Sequence, residues 1–161
     1  SGNGLWQGQI TTGDLANAIA LMLLVGFAEE LLFRGWLWGE LELLTGRQRA
    51  IGIQAAVFAL VHPWYQLPPV EAIALLMGLV LLGLALALQR RADNGVLWGS
   101  IGLHGGLVGG WFALQAGLIT LPGTSPTWLL GAGGANPNPI SGLLGWAGLG
   151  GFILIRRRWW R

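Results

Sequence analysis

The run LMLLVGFAEELLFRGWLW, Leu21 to Trp38, reads as a lipid-facing helix, yet it holds Glu29, Glu30 and Arg34. On membrane-insertion scales a charge near the bilayer centre costs about 2.5–3.5 kcal/mol. The chain is sparing with charge elsewhere. Only 10% of its 161 residues are charged and 53% are hydrophobic, with a mean hydropathy of +0.60. A soluble domain carries about 25% charged residues. So little polar surface cannot cover a globule, and the composition predicts a single integral membrane domain with the lipid bilayer as its first partner. No nucleic-acid partner is expected. Cysteine is absent, which excludes a disulfide framework and thiol chemistry. The N-terminal SGNGLWQGQITTGDL has no Met start and no basic n-region, so it reads as a fragment start rather than a signal peptide.

Apolar runs mark candidate spans at about Leu15–Trp38, Arg49–His62, Val70–Leu88, Gly95–Leu118 and Ile140–Ile155. A crossing needs about 17–25 residues. The first, third and fourth qualify. The fifth is marginal, and its glycines suit close helix packing. The second is too short to cross alone and stops at Pro63, which cannot continue a helix. The predicted fold is all-α, a polytopic transmembrane bundle of about four to five helices. Its expected divisions are an extra-membrane stretch over 1–14, a core over 15–119, a Gly- and Pro-rich loop over 120–139, and a last helix with a basic tail over 140–161.

All nine basic residues are arginine. Arg34 lies near the end of the first span, the others follow the first, third and fifth spans, and none falls in the loops Trp64–Pro69 or Ile119–Pro139. Five crossings with arginine on one side give this alternation. The positive-inside rule then puts the C-terminal RRRWWR in the cytoplasm, as a topology anchor, and a bacterial inner membrane is the expected setting. The loop over 120–139 should lie on the opposite face, and a substrate cavity should open toward Arg34, Arg47 and Arg49.

Besides Arg49 and Glu71 at span ends, the ionisable groups inside the spans are Glu29, Glu30, Arg34, His62 and His104. At 1.5 Å per residue, Glu29 lies about 15 Å and His104 about 13 Å from the arginine ends of their helices. Three helices therefore bring such groups to similar depth. Each has a plain structural reading. Glu30 and Arg34 stand at i and i+4 and can form a helix-orienting ion pair, His62 can cap its helix end, and His104 can pack among small neighbours. Alone, each is better read as structural. Three unrelated structural reasons at one depth are harder to credit than one site, because intramembrane charges are costly.

One glutamate with two histidines can activate water, the carboxylate acting as general base and a histidine polarising or donating. The same set, Glu29, His62 and His104, can also hold Zn²⁺ with an open water position. No Ser stands with a base at motif spacing, and there is no HExxH or phosphate-cradling loop; GLHGGLVGGW reads as close helix approach.

These residues resemble a known family. EELLFR matches the EExxxR pattern of the CAAX prenyl protease and bacteriocin-processing intramembrane proteases, FALVH (Phe58 to His62) matches FxxxH, and HGGLV from His104 begins HxxxN. The resemblance covers about Leu15 to Ile119, with three motifs in order. It implies an intramembrane endopeptidase acting on a peptide or protein substrate, including prenylated ones. Glu29 would activate water, and His62 would share that water or ligate a metal. Glu30 and Arg34 would brace the site, Phe58 would pack beside it, and His104 would stabilise the oxyanion or join the metal.

One position departs from the pattern. Val108 stands where HxxxN has Asn and cannot donate a hydrogen bond. Losing one oxyanion donor typically costs about 10²–10³ in rate. Ser100, Asn136 and Asn138 are the candidate substitutes. The first reading is a protease. The second is a weak or inactive family member kept as a membrane scaffold or chaperone. A third, a proton relay, has only Glu71 and Gln115 as polar side chains in the outer halves of the third and fourth spans, too few for a continuous polar path.

Overall fold

The computed structural model describes residues 4–121, 126–134 and 136–160. Parts of the expected N-terminal stretch and of the 120–139 loop, and Arg161 of the basic tail, lie outside these. The described residues are all-α apart from one two-stranded ribbon. Helix α1 (Thr12–Glu30) starts where Thr11 and Asp14 form a reciprocal capping box. It runs without a break through a π-helical stretch (Leu31–Leu37) into α2 (Trp38–Thr45) and ends at Gly46, whose φ is 82°. Then come α3 (Arg47–Leu60), a 3₁₀ turn (Trp64–Gln66), α4 (Pro69–Ala92) with proline at its first position, and α5 (Trp98–Ala113), continued by a π stretch (Leu114–Leu118). A short α6 (Thr127–Leu130), a 3₁₀ turn (Pro139–Ser141) and α7 (Leu143–Arg156) complete the chain.

Two helices are long and apolar enough to cross a membrane, Thr12–Thr45 at 34 residues and Pro69–Ala92 at 24. Length and composition support these two of the expected four to five crossings among the described residues. Helices α3 and α7 have 14 residues each and α5 has 16. The first helix outruns its expected end at Trp38 because nothing after Trp38 stops it before Gly46. At 1.5 Å per residue it is about 51 Å long, more than the roughly 30 Å hydrocarbon layer. Large apolar side chains stand exposed along α1, α4 and α7, among them Leu24, Ile73 and Ile155, the surface of a body that faces lipid rather than water.

The most extensive contact is between α1 and α5, and glycine makes it. A Cβ built on Gly26 would lie 2.8 Å from the Cα of Gly105, and one on Gly105 would collide with the carbonyl oxygen of Met22. The two backbones touch, which is how small residues bring membrane helices together. The helices run antiparallel, and their outer ends are tied by the ribbon of Leu5–Trp6 with Ile119–Thr120, which pairs Leu5 with Thr120 and Trp6 with Ile119. On the other side α3 packs on α4. Phe33, Phe58, Leu75, Leu79, Leu82 and Leu86 form the main buried cluster between them. This scaffold sets the end of α1, the end of α3 and the middle of α5 around one point.

The crossing yields a sign test. Gly105→Ala must push on the Met22 backbone and should lower stability by about 1–3 kcal/mol. Gly102→Ala, one turn earlier on the same helix, meets nothing within 4 Å and should raise it by up to about 1 kcal/mol. Thermal unfolding in detergent reads both. Equal shifts of one sign would mean that α1 and α5 do not meet at Gly105.

Candidate functional site

Glu29 and Glu30 close α1, Arg34 lies on the π stretch, His62 sits in the turn just after α3, and His104 is on α5. The structure brings all five together. A π stretch widens the helix by one residue per turn and is frequent at functional sites. Here it carries Arg34 one turn below the paired glutamates.

Glu30 Oε1 is the anchor. It accepts hydrogen bonds from Arg34 Nη1 at 2.8 Å and His104 Nδ1 at 2.9 Å. Glu30 and Arg34 are both 0% exposed. Phe58 is the apolar hub of the site. The Arg34 guanidinium lies over its ring at 4.3 Å, and the ring packs on His62 (centroids 4.7 Å apart) and edge-on to His104 (5.8 Å). A guanidinium on an aromatic face away from water is a favourable contact.

Glu29 points elsewhere, as two adjacent positions about 100° apart on a helix must. Its Oε2 lies 3.8 Å from His104 Nε2 and 3.9 Å from His62 Nε2. That oxygen is buried and has no protein hydrogen-bond partner. The histidine tautomers follow from their other nitrogens. His62 Nδ1 meets the Phe58 carbonyl oxygen at 2.6 Å, and only an N–H can donate there. His104 Nδ1 donates to Glu30 in the same way. Each Nε2 is therefore the nitrogen turned toward Glu29.

Histidines that bind a metal also donate the far N–H to a carboxylate or carbonyl, so the chemistry of the set is that of a two-His, one-carboxylate zinc centre. The spacing is not. A tetrahedral zinc with bonds of about 2.0–2.1 Å holds its donors about 3.3–3.4 Å apart, and the two gaps here are wider. Among the described residues, no group of three or more His, Cys, Asp or Glu is arranged to hold a metal ion. The gaps lie between the roughly 3.4 Å donor spacing of a tetrahedral zinc and the roughly 4.6 Å spacing of partners around a water bonded at about 2.8 Å.

A cavity of about 860 Å³ starts at Glu29, His62 and His104. It runs along Val108 and Trp111 of α5 and Gln115 of the π stretch after it to Asn136 and Asn138. The loop is held there by Trp111 Nε1 and Gln115 Nε2, which donate to the Pro137 carbonyl at 2.9 and 3.1 Å. Two expectations change. The cavity does not open toward Arg34, Arg47 or Arg49, none of which lines it; it extends toward the opposite end, because Arg34 is consumed by Glu30 and Phe58. The 136–140 segment is part of its wall, which the residue spacing could not reveal across so long a separation. Of the substitutes for the missing asparagine, Ser100 is buried, donates to the Leu97 carbonyl and does not line the cavity. Asn136 and Asn138 do line it, at the end remote from His104. Val108 lines it one turn from His104.

A family profile described as type II CAAX prenyl endopeptidase Rce1-like matches residues 11–109. The match takes in α1 through the first three turns of α5, and with them all five polar residues of the site. No curated protein and no solved structure shows significant similarity to the chain. A matched core of this extent, on apolar helices, identifies an integral membrane protein of protease ancestry: the chain belongs to the Rce1-like family of type II CAAX prenyl endopeptidases.

Proposed function

We propose that this chain is a multi-pass intramembrane endopeptidase that hydrolyses a peptide bond with a water held by Glu29, His62 and His104. The observation that carries this reading is the pair of gaps, 3.8 and 3.9 Å, from the two Nε2 atoms to one unpartnered buried oxygen of Glu29. Gaps of that size are too long for direct hydrogen bonds and are spanned by one water about 2.8 Å from each side. In the proposed step the water donates to Glu29 and to His62 Nε2. As its oxygen attacks the scissile carbonyl carbon, Glu29 takes one proton and passes it to the leaving nitrogen when the C–N bond breaks.

Position supports a role for His104: its Nδ1 is held by Glu30, so its Nε2 faces the point where the oxyanion would develop. No step in this scheme needs a metal. The largely apolar cavity supports an apolar or prenylated peptide as substrate.

A second reading, a family member kept as a scaffold, is favoured by Val108, which faces the cavity beside His104 and has nothing to donate. Variants in vesicles with a prenylated peptide separate the two. Glu29→Gln should abolish cleavage with the fold retained, and Val108→Asn should raise turnover by up to about 10²-fold. Arg34→Ala should cost about 3–5 kcal/mol of stability because it strands Glu30. Wild-type cleavage unchanged by Glu29→Gln, or no cleavage by wild type and Val108→Asn alike, would reject the hydrolytic reading.

The gathering of Arg47, Arg90 and Arg91 around one pocket, with Arg91 bonded to the Trp160 carbonyl, supports a cytoplasmic C-terminus; a bacterial inner membrane is the proposed setting. A single cysteine at the exposed Thr127 should then react with an impermeant reagent in intact cells, and one at the exposed Gln48 should not. The reverse pattern inverts the orientation.

A further inference from the structure

The arginine end of the bundle holds a second cavity, of about 260 Å³, separate from the first. Trp38 and Glu42 of α2, Arg47 at the start of α3, Arg90 and Arg91 at the end of α4, and Asn94 line it. Three guanidinium groups stand there against one carboxylate. Glu42 offsets Arg47 only in part, since Oε1 lies 3.8 Å from Nε, beyond hydrogen-bond reach. Arg90 is stacked over the Trp38 ring at 4.7 Å, and its Nε makes one long contact, 3.4 Å, with the Gly95 carbonyl. Arg91 is steered into the cavity wall by the Trp160 carbonyl, which accepts from Nη1 at 2.8 Å. Trp38 is 2% exposed, and its indole N–H is buried with no protein acceptor.

Apart from Glu42 and the Asn94 carbonyl, the polar side-chain groups around this cavity are donors. The complement is a compact anion rich in acceptors. Guanidinium forks match phosphate geometry, and the lining Trp38 carries a buried indole donor with no protein acceptor. The surroundings decide how such a phosphate arrives. Leu43 and Leu44, beside Glu42 on α2, are 84% and 80% exposed, and Val96 and Trp98 stand exposed just past Asn94. An apolar skirt around a cationic polar pocket, on the arginine side of a membrane protein, is the setting of a lipid headgroup with its acyl chains lying outside.

We infer that this cavity is a binding site for the phosphate of an anionic phospholipid, held by Arg47, Arg90 and the Trp38 indole N–H. Arg91 contributes its charge from the wall. The pocket lies below the π stretch, with Trp38 one turn from Arg34. A bound headgroup therefore braces the joint between α2, α3 and α4, one turn from Arg34.

Thermal unfolding of the full chain in detergent, with three additives, tests it. Phosphatidylglycerol should raise the midpoint by about 3 °C or more at saturation. Diacylglycerol, with the same tails and no phosphate, should not, and millimolar inorganic phosphate should give at most a small part of the shift. In Arg47→Gln/Arg90→Gln, and separately in Trp38→Phe, about tenfold more phosphatidylglycerol should be needed. Each shift is read against the same variant without lipid, so a lower starting stability does not mask the result. A full shift with inorganic phosphate alone would overturn the lipid source. An equal shift with diacylglycerol, or undiminished phosphatidylglycerol response in both variants, would overturn the site.

Discussion

One carboxylate oxygen, Glu30 Oε1, joins three helical segments. It takes a proton donor from Arg34 on the π stretch and another from His104 on α5, with 0% exposure for Glu30 and Arg34 alike. A charge in this position is tolerable only when paired, and removing either partner leaves the other stranded in a low-dielectric interior. Hydrogen bonds alone do not complete the lock. Glu30 Oε2 and the Nε and Nη2 of Arg34 have no protein partner, and the face of the Arg34 guanidinium rests on Phe58. Phe58 belongs to α3, so the same interaction also fixes the element that delivers His62. The expense of burying charge is thus confined to a joint that sets the relative positions of Glu29, His62 and His104.

The division of labour between the adjacent glutamates follows from helix geometry. Glu30 faces inward and is used up in holding the frame. Glu29, turned by about 100°, keeps an unpartnered oxygen between two imidazole nitrogens. Two further constraints complete the arrangement. The Gly26–Gly105 crossing lets α5 come close enough for His104 to reach Glu30, and the Phe58 carbonyl fixes which nitrogen of His62 is turned to Glu29.

The polar residues of the site were legible in the sequence because a polar group in an apolar run has so few reasons to be there. Glu29, Glu30, Arg34, His62 and His104 stood out on cost alone, and i, i+4 spacing paired Glu30 with Arg34. Helix lengths were less legible. The capping box at Thr11 and Asp14 starts α1 three residues before its apolar run, and the absence of a stop before Gly46 carries it past Trp38. The π stretch leaves no mark on hydropathy. The ribbon of Leu5–Trp6 with Ile119–Thr120 was missed because two-residue strands have no period to read. The cavity wall at Asn136–Ile140 is a tertiary fact: Trp111 and Gln115 reach the Pro137 carbonyl across more than twenty residues. Their positions one and two turns beyond Val108 were the only local hint that α5 had a partner there.

Whether three polar atoms surround one water is open to direct observation. Crystals of the purified chain, with anomalous data collected on both sides of the zinc absorption edge, would show what lies between His62 Nε2, His104 Nε2 and Glu29 Oε2. The expected result is a single water-sized peak about 2.8 Å from all three atoms, with no anomalous signal at the edge. A zinc peak at about 2.0–2.1 Å from the three, or side chains that do not converge on a common point, would contradict the proposal that Glu29 activates water at a metal-free site built on the Glu30–Arg34 pair.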